Sequence, residues 1–178
     1  MEFKKRDIKI FIISGKAGTG KDEVAKLLKK HYDSSVIISY ASYLKIYAMN
    51  ILGWDGNPST KPRDFLQNLG CELIKNNIDD KMLIRRVIED IKVYSYFYDV
   101  IIIDDARFPS EIDDIKANFK NVYSIHMNGN KDILTDKQKK HISEVSLDHY
   151  YNYDYEIEND YNIDDLTNIV NKIVGNIW

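Results

Sequence analysis

The chain contains a single cysteine and only three prolines, and it has no long run of apolar residues. Because Cys71 is alone, we expect neither an internal disulfide nor a cysteine-based metal site. No apolar stretch approaches the roughly 20 residues that a membrane-spanning helix needs. The basic stretch Lys4-Lys5-Arg6 precedes an apolar run that is too short for a signal peptide. We therefore expect a soluble cytoplasmic protein with no membrane partner.

The sequence also lacks a strong excess of charge of either sign. A net charge of -3 with 30% charged residues gives no basic signature, so we expect no binding to a nucleic-acid polymer. No Pro- or Ser-rich linker and no internal repeat divides the 178 residues. This length suits one domain with a substantial core, and we expect a single domain over residues 1–178.

Residues 8–22 carry the most informative pattern, an apolar run followed by a glycine-rich turn. The run Ile10–Ile13 predicts a short buried strand, and Val24 begins an amphipathic helix. Between them lies the G-x-x-x-x-G-K spacing of a phosphate-binding P-loop, written here Gly15, Lys16, Ala17, Gly18, Thr19, Gly20 and Lys21. Its glycines let consecutive backbone N–H groups turn inward at a helix N-terminus, which makes a concave anion site. Lys21 adds positive charge for the β- and γ-phosphates of a nucleotide.

The residue that follows the P-loop lysine is Asp22, where the common pattern has a Ser or Thr that ligates Mg²⁺. A carboxylate can still hold the metal, directly or through water. An acid in the first turn of a helix is also stabilised by the helix dipole. The two roles are compatible, and both stay open.

The rest of the chain alternates strands and helices. Strands are predicted at residues 10–13, 36–38, 100–103, 121–127 and 153–157. Helices are predicted at residues 24–32, 41–52, 79–98, 110–120 and 163–174, with a further helix that starts at about 61. This order predicts an α/β fold in which helices flank a parallel sheet.

The helix that starts near Pro62 presents two different faces at helical spacing. One predicted face is apolar and holds Phe65, Leu66, Leu69 and Leu73. The other holds Arg63, Gln67, Gly70 and Ile74. This second face combines a guanidinium, an amide and a position where backbone can be approached closely, which suits a small phosphate-bearing ligand. Taken alone, Arg63 is more simply explained as a solvated side chain.

The strand Val100–Ile103 ends in Asp104-Asp105, the arrangement of a Walker B acid at the carboxyl end of a central strand. Ligands bind at that edge of an open parallel sheet. We expect Asp104 to organise Mg²⁺ through water and to assist proton removal from an attacking oxygen, with Asp105 as its partner. An aspartate that caps the next element is the alternative. Arg107 follows on a short loop, where it could contact a phosphate or pair with Glu111 or an aspartate.

Four motifs occur in order along nearly the whole chain. They are Gly15-x-x-Gly18-x-Gly20-Lys21-Asp22, Pro62-Arg63-x-x-Leu66-Gln67-x-x-Gly70, Asp105-x-Arg107-Phe108-Pro109-x-Glu111 and His141-x-Ser143-Glu144. Together they resemble the deoxynucleoside monophosphate kinases of the phage type. The ending 153–160 is also similar to that family's final strand and nucleotide-side loop. The P-loop is generic, whereas the second and third motifs are much more specific.

The resemblance implies a P-loop NTPase fold of the nucleoside monophosphate kinase type, with a five-stranded sheet, an acceptor-binding helical insertion at about 41–98 and a short lid at about 128–150. It implies transfer of the γ-phosphoryl group of ATP to a (deoxy)nucleoside 5′-monophosphate, with Mg²⁺. Lys21, Asp104 and Arg107 would be catalytic, residues 15–22 would bind ATP, and Asp22 and Asp104 would bind the metal. The acceptor would be bound by Arg63, Gln67, Gly70, Arg107 and Glu111. Base preference, the sugar and a possible homodimer stay open.

The sequence departs from the family in its predicted lid, because Asn128–Lys140 contains no arginine. Lysines can supply point charges there but not bidentate forks. Activity would then be weak, depend on an arginine from elsewhere such as Arg85 or Arg86, or act on an altered substrate. The alternatives are a phosphomevalonate kinase-like enzyme, a nucleotide-binding or nucleotide-hydrolysing module, and an inactive relative that only binds nucleotide.

Overall fold

The computed structural model of the chain describes residues 3–129, 134–160 and 162–177. Its strands are β1 (Lys9–Gly15), β2 (Ser35–Ile38), β3 (Val100–Ala106), β4 (Val122–Asn128) and β5 (Tyr155–Glu158). They form one sheet in the order β2-β3-β1-β4-β5, and every neighbouring pair is parallel. The predicted α/β fold with a five-stranded parallel sheet is therefore confirmed.

The two central strands carry the continuous apolar runs of the chain. Ile10–Ile13 in β1 and Val100–Ile103 in β3 are buried throughout. Strands that are covered by helices on both faces have no solvated side, so such runs need not alternate with polar residues. β1 pairs with β3 from Lys9–Val100 to Ser14–Ala106. This register brings the segments that follow the two strands to the same edge of the sheet.

Helices cover both faces of the sheet. They are α1 (Lys21–His31), α2 (Ala41–Leu52), α3 (Arg63–Gln67), α4 (Met82–Tyr94), α5 (Pro109–Asn118), α6 (Asp136–Lys139), α7 (Ile142–Val145) and α8 (Ile163–Gly175). α1 and α8 pack on the face that presents Phe11 and Ile13, and α4 and α5 pack on the opposite face with Ile10 and Ile12. In the described part of the chain, no helix is both long and apolar enough to cross a membrane.

The segment between β2 and β3 has a small core of its own. It consists of α2, a short 3-10 turn at Pro58–Thr60, α3, a π-helical segment at Asn68–Ile78 and α4. The buried residues of this core are Leu44, Ala48, Leu66, Leu69 and Ile74. Because this core is separate from the two that cover the sheet, the helices can form a wall beside the carboxyl ends of the strands.

The predicted apolar face of the third helix is wrong at Leu73. Leu73, expected to be buried, is 49% exposed. Ile74, expected on the face of Arg63, Gln67 and Gly70, is 3% exposed and lines the same cavity as they do. From Asn68 onward the backbone is wound as a π-helix, and the amide of Asp79 donates to the carbonyl of Ile74, five residues earlier, at 2.7 Å. This turn is wider than that of an α-helix, so the 3.6-residue period no longer decides which side chains share a face.

Two element boundaries also differ notably from the predictions, and the predicted lid gains internal detail. The helix predicted at 79–98 is limited to Met82–Tyr94. β5 begins at Tyr155 rather than at 153, because the side chain of Asp154 accepts a hydrogen bond from the amide of Ser124 (2.7 Å). The predicted lid at 128–150 contains two short helices, α6 and α7, and its residues 130–133 lie outside the described residues.

Candidate active site

A cavity of about 370 Å³ lies where the segments after β1 and β3 meet the helical segment 41–94 and α7. In open parallel sheets, this carboxyl edge is where ligands bind. Of the residues that the sequence predicts for the site, the cavity is lined by Ala17, Gly18, Lys21, Asp22, Arg63, Gln67, Gly70, Asp104, Arg107 and Glu111. The other P-loop residues, Gly15, Lys16, Thr19 and Gly20, do not line the cavity.

The P-loop owes its path to backbone that only glycine tolerates. Gly15 and Gly20 have φ values of 137° and 92°. A Cβ atom at Gly15 would lie 2.5 Å from the carbonyl oxygen of Met127, and one at Gly20 would lie 2.4 Å from Nδ2 of Asn159. The side-chain amide of Asn159 also donates to the carbonyl of Thr19 at 3.0 Å. The loop after β5 therefore contacts the P-loop and helps to fix its backbone.

Lys21 is folded back onto its own loop. Its Nζ donates to the carbonyl oxygens of Gly15 (2.8 Å) and Lys16 (2.7 Å), and the residue is 7% exposed. Burial, and next the positive charge of Arg107, lower the pKa of the ammonium group to about 7. The charge of Lys21 is therefore easily lost near neutral pH, and a bound phosphate would restore it.

The two aspartates at the end of β3 have different partners. Asp105 accepts hydrogen bonds from the amides of Tyr40 (2.8 Å) and Ala41 (2.9 Å), so it caps the start of α2. Asp104 accepts one from the hydroxyl of Ser39 at 2.6 Å. Burial, and next the charge of Asp105, raise the pKa of Asp104 to about 6. Asp105 thus caps α2, which precedes it in the chain, and not the next element as the alternative in the sequence analysis had it. Asp104 accepts fewer of these hydrogen bonds.

The carboxylates of this site suit a metal that also takes ligands from its substrate. Asp22 and Asp104 both line the cavity, and the charge of Asp22 contributes to raising the pKa of Asp104. Within residues 3–129, 134–160 and 162–177, no group of three His, Cys, Asp or Glu side chains could hold a metal ion. Mg²⁺ is commonly held by one or two carboxylates together with water and substrate phosphates. The donor set here fits that pattern.

Arg107 lies on a loop that is fixed by a buried carboxylate. Oε2 of Glu111 accepts hydrogen bonds from the amides of Arg107 (2.6 Å) and Phe108 (3.1 Å). Burial, more than any other influence, raises the pKa of Glu111 to about 8. The guanidinium itself pairs with Glu144, at 2.8 Å from Nη1 to Oε2, and not with Glu111. The sequence placed Glu144 in a motif but assigned it no role, because the two residues are 37 positions apart.

The segment 134–150 contacts both walls of the cavity. Oε2 of Glu144 accepts a hydrogen bond from the amide of Ala17 (2.9 Å), and Asp148 pairs with Lys16 (2.8 Å). On the other side, Nε2 of Gln138 donates to Asp64 at 2.6 Å. The segment therefore joins the P-loop to the helix that carries Arg63.

The helical wall brings three cations together. Lys45, Lys61 and Arg63 all line the cavity. Burial, followed by the charges of Lys45 and Arg63, lowers the pKa of Lys61, as expected when cations crowd one another. The sequence analysis missed both lysines. Lys45 did carry a signal, because it is the one charged residue of α2, and Lys61 lies next to the Pro62-Arg63 motif.

The rest of this wall mixes apolar and polar side chains. Leu44, Leu66, Ile74, Leu83 and Phe108 line it beside Gln67 and Asp80, and the ammonium of Lys75 lies 3.9 Å from the centre of the Phe108 ring. Burial raises the pKa of the Cys71 thiol to about 11, so this thiol is not a nucleophile at neutral pH.

Neither arginine that was considered as a substitute for a lid arginine lines the cavity. Arg85 pairs with Asp79. Arg86 lies over the ring of Tyr43, 4.6 Å from its centre, and donates to the hydroxyl of Tyr47 at 3.1 Å. The cations that approach the cavity on this side are lysines 45, 61 and 75 and Arg63.

Solved structures of small-molecule kinases share this fold. An APS kinase from Mycobacterium tuberculosis, solved with AMPPNP and APS, has a TM-score of 0.56 at 13% identity, over 96% of this chain and 99% of that chain. Shikimate kinases from Acinetobacter baumannii and Aquifex aeolicus have TM-scores of 0.55 and 0.52 at 9% and 12% identity. They cover 96% and 94% of this chain, and 93% and 97% of their own. At such identities the likeness shows the fold alone.

No curated protein sequence matches the chain. A family model does, and the model is that of deoxynucleotide monophosphate kinase, matched by residues 36–170. The matched residues include Arg63, Asp104, Arg107 and Glu144. The P-loop precedes the match in the chain, and in the fold it lines the same cavity as these four residues. The predicted resemblance is thereby confirmed, and the chain belongs to the deoxynucleotide monophosphate kinase family, which makes it a nucleotide kinase and a phosphotransferase.

Proposed function

We propose that the protein transfers the γ-phosphoryl group of ATP to a nucleoside or deoxynucleoside 5′-monophosphate, with Mg²⁺ between the phosphates. Residues 41–98 would serve as the acceptor-binding insertion and residues 128–150 as the lid. One observation carries the proposal: a single cavity is lined by two cationic groups from different parts of the chain. Lys21 of the P-loop is one, and the cluster Lys45, Lys61 and Arg63 of the helical wall is the other.

Arg107 lines the same cavity as both cationic groups. Its charge lowers the pKa of Lys21 and also contributes to lowering that of Lys61. Phosphoryl transfer requires two anionic groups to be brought into line, and its catalysis consists almost entirely of positioning and charge neutralisation. A guanidinium between two phosphate sites would do both. Glu111 supports this role, because it fixes the backbone of the Arg107 loop.

On the donor side, inward-facing amides of residues 15–22 would hold the ATP phosphates, and Lys21 would release the loop carbonyls to pair with them. Asp22 and Asp104 would hold Mg²⁺, which when bound neutralises charge on the β- and γ-oxygens. Asp104 lies at the carboxyl end of a central strand, where it would hold Mg²⁺ through water and assist proton removal from the attacking phosphate oxygen.

On the acceptor side, Arg63 would bind the monophosphate through its planar fork, with Lys45 and Lys61 as added point charges. These lysines would compensate for the absence of arginine in 128–140. The apolar side chains of the helical wall would take the base, and Gln67 and the backbone near Gly70 would contact its edge or the sugar. A ring that covers Leu44, Leu66 and Phe108 buries apolar surface, which favours a nucleotide over an acceptor without a ring.

A coupled assay of ADP release across the common nucleoside and deoxynucleoside monophosphates tests the proposal. We expect turnover with at least one monophosphate, and loss of that turnover in Lys21→Met. Phosphomevalonate as acceptor and a reaction without acceptor are the comparisons. Turnover with phosphomevalonate alone, or ADP release that no acceptor changes, would refute it.

A further inference from the structure

Glu144 is a buried acid in the centre of a phosphate-binding region. Its side chain is 6% exposed, and Oε2 accepts hydrogen bonds from the backbone amide of Ala17 (2.9 Å) and from Nη1 of Arg107 (2.8 Å). A P-loop amide and a guanidinium are both typical donors to phosphate oxygens. A carboxylate oxygen therefore holds two donors that a phosphate would use.

The lysine of the P-loop faces the same cavity as this carboxylate. Lys21, Arg107 and Glu144 are all part of the cavity lining. A backbone amide and a guanidinium thus already hold one anion at this cavity. The phosphoryl group of a bound nucleotide would use the same two donors.

We propose that the carboxylate of Glu144 holds the place of a phosphoryl group between the P-loop and Arg107, and that a nucleotide phosphate must displace it to bind. The inference rests on the proposed function only in that the P-loop binds phosphate. A carboxylate that stayed between these donors would leave a phosphate without them and would repel it. Displacement would free Arg107 at the moment at which a phosphate arrives.

The position of Glu144 in the fold allows it to leave. It is carried by α7, a helix of four residues, and the nearest buried anchor of this segment is Leu147. A shift of this short helix away from the P-loop would withdraw the carboxylate without movement of the sheet. When the binding-competent state is only partly populated, the apparent affinity for a ligand falls by the populated fraction. Glu144 should therefore weaken the binding of any phosphate at this site.

The test is calorimetric titration of inorganic tripolyphosphate, without Mg²⁺, into the wild type, Glu144→Gln and Asp136→Asn. Glutamine keeps an acceptor for Ala17 and loses the charge. Asp136 is the matched control, because it is an exposed acid on the same segment and does not line the cavity. We expect Glu144→Gln to bind at least about tenfold more tightly and Asp136→Asn to bind as the wild type does. The KM for ATP should fall in Glu144→Gln.

Equal or weaker tripolyphosphate binding by folded Glu144→Gln would overturn the inference, because a purely structural tie predicts that result. If Glu144→Gln does not fold, hydrogen exchange in the wild-type protein tests the inference instead. Hydrogen exchange at amides 142–146 should accelerate when tripolyphosphate saturates the protein, and unchanged or slower exchange would overturn the inference. Turnover of monophosphates is a separate readout. If no monophosphate is turned over but Glu144→Gln binds tripolyphosphate more tightly, the proposed function is refuted. The inference about Glu144 would still hold in that case.

Discussion

The buried ammonium of Lys21 makes nucleotide affinity depend on pH. With a pKa of about 7 in the free protein, Lys21 is protonated below neutral pH and increasingly neutral above it. A bound phosphate favours the charged form and raises this pKa, so binding above pH 7 requires uptake of a proton. We therefore expect the affinity for ATP to fall as the pH rises from 7 to 9, as measured by calorimetry.

Lys21→Arg is the control for this dependence, because arginine stays charged throughout the range. Its ATP affinity should show only the pH dependence of ATP itself. Identical profiles for Lys21→Arg and the wild type would mean that Lys21 does not titrate near pH 7.

Arg63 should act on one substrate more than on the other. Charge-assisted hydrogen bonds contribute about 1.5–3 kcal/mol, so Arg63→Ala should raise the KM for the monophosphate by about ten- to a hundredfold. The Kd for ATP should change little, because Arg63 belongs to the helical wall and not to the P-loop. Arg85→Ala removes an exposed arginine outside the cavity and should change neither constant. An equal loss of both affinities in Arg63→Ala would assign this arginine a structural role.

Glu111 should make the free energy of unfolding depend on pH. Its pKa is raised from 4.5 to about 8, so between these values the folded state binds more protons than the unfolded state. Stability from this group is complete below pH 4.5 and is lost as the pH rises to about 8. In the wild type this loss should be on the order of a few kcal/mol. We expect it to be smaller in Glu111→Gln when the free energy of unfolding is measured by urea titration at pH 5 and pH 8. Glu89→Gln, which replaces an exposed acid, should leave the dependence unchanged.

Among the elements, the π-helical segment sets the distance between two walls of the cavity. A Cβ atom at Gly70 would lie 3.0 Å from Cδ1 of Leu44. A helical Gly→Ala change usually stabilises by up to about 1 kcal/mol, but here overpacking should cost about 1–2 kcal/mol. Urea unfolding of Gly70→Ala measures this. Gly175→Ala, at a helical glycine with no atom within 4 Å of the added Cβ, is the control and should not destabilise.

A double-mutant cycle identifies the cause of this effect. In a Leu44→Ala background the contact is absent, so Gly70→Ala should no longer destabilise. A penalty that persists in that background would show that the strain lies in the backbone of Asn68–Ile78 and not in the contact with Leu44.

At the scale of the molecule, Lys21 and the cluster Lys45, Lys61 and Arg63 line one cavity, so one ligand should be able to contact both cationic groups. A nucleoside pentaphosphate that carries nucleosides at both ends should raise Tm more than an equimolar mixture of ATP and monophosphate, because the second contact becomes intramolecular. Thermal unfolding measures this difference, and in Arg63→Ala it should shrink toward that of the mixture. Equal shifts of Tm for the linked ligand and for the mixture would show that the two cationic groups do not bind one ligand together.

The sequence could predict the sheet and the donor end of the site because their signals are local. Four aliphatic residues before Asp104 and the spacing from Gly15 to Lys21 are each readable within ten residues. The acceptor wall is different. Lys45 approaches Arg63 only after the insertion has folded on its own core, and Leu73 turns outward because of a π-helix, which has no sequence signal of its own.

Contacts between distant parts of the chain were also beyond prediction. Glu144 reaches Ala17 across 127 positions, and Asn159 reaches Thr19 across 140. A motif such as His141-x-Ser143-Glu144 shows that these residues matter together, but it does not show what they touch. The cap that Asp105 provides for α2 is similarly invisible in a run of two acids.

The place of β1 in the sheet has a consequence for the protein as it is synthesised. β1 comes first in the chain but lies in the centre, between β3 and β4. Its partners begin at Val100 and Val122, and the loop that it carries is held by Asn159. A nascent chain must therefore keep the apolar run Ile10–Ile13 unpaired until β3 has been synthesised. The P-loop that follows β1 is complete only when Asn159 has been made, so slow synthesis of the later strands should prolong the time in which this run can aggregate.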